Sequence, residues 1–237
     1  MEYNSENKKQ AVRIQTSILN GVEKKFLVWM AGKLPGWVTS DLLTGLGIIG
    51  AFVAGLGYIL SDLNIMWLWF SSFGIILNWY GDSLDGTLAR VRNQQRPIYG
   101  YFLDHNVDVI TLGIVCIGAG LSSLISLPIA MMTLSLYLAL TIFTYINTHL
   151  RGDFKLTYAK LGPTEFRLII IIINTIIIYW DSLREFTLPI SFLNNSMTLT
   201  AFDLLASIVN VLLFIIYIVS LVKDGVAYSK ADPVDKK

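Results

Sequence analysis

Asp82-Ser83-Leu84-Asp85-Gly86-Thr87-Leu88-Ala89-Arg90 is followed, after the nine residues 91–99, by Gly100-Tyr101-Phe102-Leu103-Asp104-His105-Asn106-Val107-Asp108. Both stretches lie at ends of apolar segments long enough to cross a bilayer, which takes about 20 residues of helix. Carboxylates in or beside hydrocarbon are costly, so four within so short a stretch demand strong compensation, and divalent cations supply it. On helices, Asp82 and Asp85 at i, i+3 share a face, as do Asp104 and Asp108 at i, i+4. Two such helices, antiparallel and joined by a short turn, would direct all four carboxylates into one volume suited to hard metal ions.

The rest of the chain agrees with a membrane setting. A mean hydropathy of +0.59, with 54% hydrophobic and only 15% charged residues among 237, departs from the balance of a soluble enzyme. A net charge of +1 gives no basic surface for nucleic acid. The single Cys116 lies within an apolar segment and rules out an intrachain disulfide or a cysteine-rich metal site. The first forty residues are polar and basic and do not have the pattern of a cleavable leader.

An all-α bundle of about six spans is expected, at roughly residues 40–60, 66–84, 101–124, 128–150, 163–180 and 200–222. Residues 1–10 read as disordered and 11–33 as an amphipathic surface helix, with Phe26, Leu27, Trp29 and Met30 beside Lys24, Lys25 and Lys33. Domain organisation follows: 1–39 a disordered start and surface helix, 40–222 the catalytic bundle, 223–237 a polar tail. Six spans put every basic cluster on one side, leaving Arg184 in a loop on the other. By the positive-inside rule, both termini and the carboxylates then face the cytoplasm. Small residues Gly47, Ala51, Gly55, Gly113 and Gly120 read as sites of close helix packing.

The two stretches resemble the signature of the CDP-alcohol phosphotransferase (CDP-alcohol phosphatidyltransferase) family, D-x-x-D-G-x-x-A-R, a gap, then G-x-x-x-D-x-x-x-D. All its fixed positions are met, by Asp82, Asp85, Gly86, Ala89, Arg90, Gly100, Asp104 and Asp108. The resemblance implies transfer of a substituted phosphate from a CDP-linked donor to an acceptor hydroxyl, with release of CMP, in phospholipid synthesis. It also implies two Mg²⁺ or Mn²⁺ ions held by Asp82, Asp85, Asp104 and Asp108, with Asp108 as catalytic base, and a homodimer among membrane lipids. The chemistry is consistent: a pyrophosphate needs its oxygens neutralised and its attacking hydroxyl deprotonated, which metals and a carboxylate do.

Around this centre, Gly86 and Gly100 lack a Cβ and let helix backbone approach a nucleotide. Arg90 could pair with a phosphate oxygen or hold an aspartate. Thr39-Ser40-Asp41-Leu42-Leu43-Thr44 resembles the P-N-x-x-T or P-D-x-x-T opening of many members, which implies nucleotide contacts for Asp41 and Thr44, with Ser40 where proline is usual. Glu165 and Arg167 stand at the cytoplasmic end of span five, as part of an acceptor pocket or as an interfacial ion pair. His105 beside Asp104 faintly resembles the eukaryotic choline and ethanolamine phosphotransferases, too briefly to name a substrate. Donor and acceptor stay open between CDP-diacylglycerol with a polar alcohol and a CDP-amino alcohol with a lipid. Arg92 and Arg96 read as topological charges.

The competing reading is a divalent-cation carrier or channel, since carboxylates within membranes also mark ion paths. A carrier needs polar groups across the midplane, often on broken helices, whereas here the acidic cluster is confined to one side. The charge distribution makes a direct prediction of topology. Cysteines introduced at Arg96 and Lys155 should react with an impermeant thiol reagent from the cytoplasmic side, and one at Arg184 from the opposite side; labelling of all three from one face would overturn it.

Overall fold

The computed structural model describes residues 12–14, 19–151, 153–155, 162–192 and 195–234. In chain order the elements are β1 (Val12–Ile14), α1 (Asn20–Lys33), α2 (Ser40–Leu60), α3 (Leu68–Val91), α4 (Pro97–Gly120), α5 (Leu127–Arg151), β2 (Asp153–Lys155), α6 (Pro163–Tyr179), α7 (Asp181–Arg184), β3 (Thr187–Phe192), β4 (Asn195–Thr200) and α8 (Ala201–Ala231). The described chain is an all-α membrane protein in its main architecture, and α2, α4, α5 and α8 are each long and apolar enough to cross a bilayer.

Local chemistry sets the helix ends. Thr39 accepts the Leu42 N–H to cap α2, Pro97 opens α4 where its missing N–H costs nothing, and Thr200 with Asp203 forms a capping box at α8. The Asp203 carboxylate, almost fully buried, also accepts the Ser126 N–H at 2.7 Å. The start of α8 is thereby fixed to the start of α5.

The closest packing is a glycine seam between α2 and α3. A Cβ on Gly50 would collide with the Asn78 amide, one on Gly74 with that of Ala54, one on Gly81 with that of Gly47 and one on Gly57 with that of Ser71. These pairings run in opposite senses along the two helices, so α2 and α3 are antiparallel with their backbones in contact. The α4 helix packs against a different stripe of α2, where a Cβ on Gly118 would overlap the Gly55 backbone. Gly47, Ala51 and Gly55 therefore pack as their size suggests, and Gly120 packs against Leu127 and Ala130. Gly113 differs: a Cβ there meets nothing within 4 Å.

Two apolar clusters flank the seam. Leu27, Ala31, Val38, Leu43, Leu84 and Leu88 hold α1 against one end of α2 and α3, while Tyr58, Leu68, Leu124, Ile177, Ile178 and Phe202 bring α6 and α8 to the other. Between them, Tyr58 donates to Asn174 Oδ1 and Asn174 donates to Ser72 Oγ, both at 3.1 Å, tying α2, α3 and α6 through buried polar groups.

Several boundaries differ from expectation. The α3 helix continues to Val91 and α4 begins at Pro97, so the signature lies wholly on helix, with only residues 92–96 between. Asn93 takes a positive φ of 55° in that turn, a conformation Asn tolerates better than most residues. The N-terminal helix starts at Asn20, whereas Val12–Ile14 pairs in parallel with Asp153–Lys155; the expected disorder at 1–10 lies outside the described residues. The stretch between the expected fifth and sixth spans holds the antiparallel hairpin β3–β4, which pairs Thr187 with Thr200 at its open end. The α8 helix runs past residue 222 through most of the expected polar tail, and its 31 residues span about 46 Å.

The seam predicts an asymmetry between glycines. Gly74→Val should destabilise the folded protein in detergent by about 3 kcal/mol or more, because backbone rather than a flexible side chain blocks it. Gly113→Ala should be near neutral. Thermal unfolding of the two variants reads the difference directly.

Candidate active site

The signature helices α3 and α4 both pack against α2, and their carboxylates meet at one end of the bundle. Asp82, Asp85, Asp104 and Asp108 line one narrow cleft with Thr44, Gly47, Asn78, Val107 and Thr111. Asp108 lies within electrostatic reach of the other three aspartates and of Arg167. All four expected carboxylates are thus brought together, on the faces their spacing assigns.

Each is held differently. Asp85 Oδ2 accepts the Thr44 hydroxyl at 2.6 Å, Asp85 Oδ1 accepts the Gly86 N–H, and the Asp85 carbonyl accepts Ser40 Oγ at 2.9 Å. The departure from proline at position 40 thus supplies a donor that proline lacks. Asp82 Oδ2 accepts from Arg167 Nη2 at 2.7 Å. His105 Nδ1 stands 3.1 Å from Asp104 Oδ2, with its ring between Tyr101, at 4.1 Å between centroids, and Tyr145, at 4.9 Å. Among the described residues, no side chain hydrogen-bonds the Asp108 carboxylate.

An all-oxygen donor set of carboxylates, with one arginine as nearby counter-charge, fits a hard divalent cation in chemistry. The geometry is not preassembled: among the described residues, no three acidic, histidine or cysteine side chains stand close enough to hold a metal as placed. Asp82 and Asp85 instead turn oxygens toward Arg167, Thr44 and Gly86. Ligation would require these side chains to rotate.

The outer residues divide. Thr44 lies in the cleft, whereas Asp41 is exposed and pairs with Arg96 at 3.5 Å. Arg96 also stacks over the Tyr99 ring at 3.8 Å, and Arg92 donates to the carbonyls of Leu34, Pro35 and Val38. These two arginines, read from sequence as topological charges, therefore also serve as structural ties. Arg90 donates to Thr87 Oγ1 at 3.0 Å and lies along its own helix over Gly86, with Ala89 half-buried beside it. Gly100 stands in open space on the first turn of α4.

Glu165 and Arg167 separate as well. Only 8% exposed, Glu165 accepts the Gly162 N–H at 2.9 Å and the Leu19 N–H at 3.0 Å, which caps α6 and ties it to the start of α1. Arg167, half a turn further along, reaches Asp82. Asn78, Val107 and Thr111 are cleft residues that the signature does not contain. Sequence reading passed over both Asn78, one turn before Asp82, and Thr111, one turn after Asp108, and helical periodicity is the signal that would have found them. Asn78 Nδ2 also donates to the Gly47 carbonyl at 3.0 Å.

The sequence profile of the CDP-alcohol phosphatidyltransferase family matches residues 37–219, which include α2 to α6 and the cleft. The chain belongs to this family. It is accordingly a transferase of substituted phosphate groups, of a family that serves phospholipid synthesis and generally depends on divalent cations. No curated protein matches the sequence significantly.

The link between Thr44 and Asp85 carries its own prediction. Thr44→Val keeps the shape but removes the donor, and a hydrogen bond to a charged group is worth about 1.5–3 kcal/mol. Steady-state assays should show kcat/KM falling by about tenfold or more, and thermal unfolding should show a loss of stability of the same order as the bond.

Proposed function

We propose that the chain transfers a substituted phosphate from a CDP-linked donor to an acceptor hydroxyl and releases CMP, at a cytoplasmic cleft built by α2, α3 and α4. The convergence of the four signature carboxylates in one cleft carries this reading. Asp82, Asp85 and Asp104 are assigned as metal ligands, with two Mg²⁺ or Mn²⁺ ions as the cations. When bound, such ions neutralise pyrophosphate oxygens and stabilise the CMP leaving group.

The protein's own contributions follow from position. Asp108 accepts the proton of the attacking hydroxyl, since among the described residues no side chain hydrogen-bonds its carboxylate and it lines the cleft with Thr111. Thr44 and the Gly86 N–H orient Asp85, and His105 orients Asp104. Gly86 and Gly100 leave room for the nucleotide near Arg90, Ala89 and Thr44, with Asp41 at the rim. Arg167 and His105 flank the acceptor side, and Glu165 sets the start of the helix that carries Arg167.

Six spans with both termini in the cytoplasm complete the reading, and the alternating directions of α2, α3, α4, α5, α6 and α8 between the cleft end and the distal end support it. On this reading α1 lies on the membrane surface, where Phe26 and Trp29 are exposed beside Lys24 and Lys25. The homodimer implied by family likeness belongs to the same proposal. A carrier fits less well, because the carboxylates gather at one end of the bundle and α2 to α4 are unbroken helices.

The purified protein should release CMP from a CDP-linked donor only with Mg²⁺ or Mn²⁺ and a hydroxyl acceptor, and excess chelator should abolish turnover. Asp82→Asn, Asp85→Asn and Asp104→Asn should each lower turnover by orders of magnitude with the fold intact. Asp108→Asn should abolish transfer while sparing donor affinity across a Mg²⁺ titration, because an amide cannot take the proton. Full turnover in chelator would exclude the metal role, and equal loss of donor affinity in Asp108→Asn and Asp85→Asn would make Asp108 mainly a ligand.

A further inference from the structure

Arg167 approaches the carboxylates from α6, a helix that carries none of the signature. Its Nη2 lies 2.7 Å from Asp82 Oδ2, and the two side chains are only 18% and 26% exposed, so water screens the pair weakly. Among the described residues this is the guanidinium's one hydrogen bond, out of five available donors. The helix itself is pinned near this point. Glu165 takes the Gly162 and Leu19 amides, and Thr164 Oγ1 donates at 2.6 Å to Glu23 Oε1, which also accepts the Trp79 indole at 2.9 Å. Three helices, α1, α3 and α6, thus fix where Arg167 starts. Any adjustment at Asp82 must come from side chains rather than from α6.

A divalent ion and a guanidinium sharing the Asp82 carboxylate would stand about 4–5 Å apart, with twice the repulsion of a monovalent pair. We propose that Arg167 competes with divalent metal for Asp82, weakening the cleft's intrinsic metal affinity, and that metal binding releases its guanidinium toward the phosphates of the donor. Arg167 then couples metal loading to donor binding. This rests on the metal-dependent reading given above. The opposite role is also physically defined: an arginine that merely orients a ligating carboxylate strengthens metal binding, and its loss costs about 10–100-fold in affinity. The two roles predict opposite signs.

Mn²⁺ binding to the full-length protein in nanodiscs, without nucleotide, is measured from the free-ion electron paramagnetic resonance signal. Arg167→Gln should bind Mn²⁺ about tenfold more tightly than wild type, and Arg167→Met, which keeps the apolar stem, should do the same. Arg167→Lys, which keeps the charge, should stay within about threefold of wild type. In an Asp82→Asn background, Arg167→Gln should bring no tightening. With CDP added, Mn²⁺ should enhance CDP affinity less in Arg167→Gln than in wild type, the readout of lost coupling. Unchanged or weaker Mn²⁺ binding in folded Arg167→Gln or Arg167→Met would overturn the competition while leaving the metal-dependent reading standing. Absence of Mn²⁺ binding in wild type and in every variant would overturn both.

Discussion

Backbone contact between α2 and α3 governs what the rest of the molecule can do. With Gly47, Gly50 and Gly57 on one helix facing Gly81, Gly74 and Ser71 on the other, the axes approach until main chains touch. Van der Waals packing of this kind associates helices where lipid removes most of the hydrophobic drive. The same approach brings the Thr44 hydroxyl within 2.6 Å of Asp85 and the Gly47 carbonyl within 3.0 Å of Asn78. Side chains as short as threonine and asparagine can bridge the helices only because the glycines have removed what would stand between them.

The electrostatics follow from that geometry. Four carboxylates in one cleft repel, and the chain relieves part of the strain with Arg167, Thr44, the Gly86 amide and His105. Each donor comes from a different local solution: a helix packed from the side, a neighbouring helix at close range, the backbone amide of the following residue, and the side chain of the following residue. Placing this group at the end of the bundle, with apolar clusters holding α1 below it and α6 and α8 beyond it, keeps the charge out of the hydrocarbon centre.

Legibility in the sequence varied with how local each signal was. The four aspartates are readable because helical spacing alone assigns them faces, and the structure gathers them as that spacing requires. The α2 boundaries are readable because Thr39 caps one end and an apolar run of bilayer length sets the other. The β3–β4 hairpin escaped because residues 187–200 have no tight-turn signal of the Asn-Gly kind and Pro189 argues against a strand. Glu165 and Arg167 stand two positions apart in sequence and look like one unit. Only tertiary packing reveals that one caps a helix for Leu19 while the other crosses to Asp82, because both partners are far away in the chain.

The length of α8 has a consequence for its pairing with α5. At about 46 Å it exceeds a hydrocarbon core of about 30 Å, so its last turns, carrying Lys223, Asp224, Tyr228 and Lys230, extend to the level of water and headgroups. There Asn147 donates to Asp224 at 3.1 Å and accepts from Tyr228 at 2.6 Å, while near the other end Asn210 donates to the Ile129 carbonyl at 3.3 Å. Bonds that exchange with solvent add little net free energy. The Asn147 pair therefore acts less as glue than as a vernier: it fixes the axial alignment of two parallel apolar rods whose smooth sides would otherwise permit sliding by a helical turn.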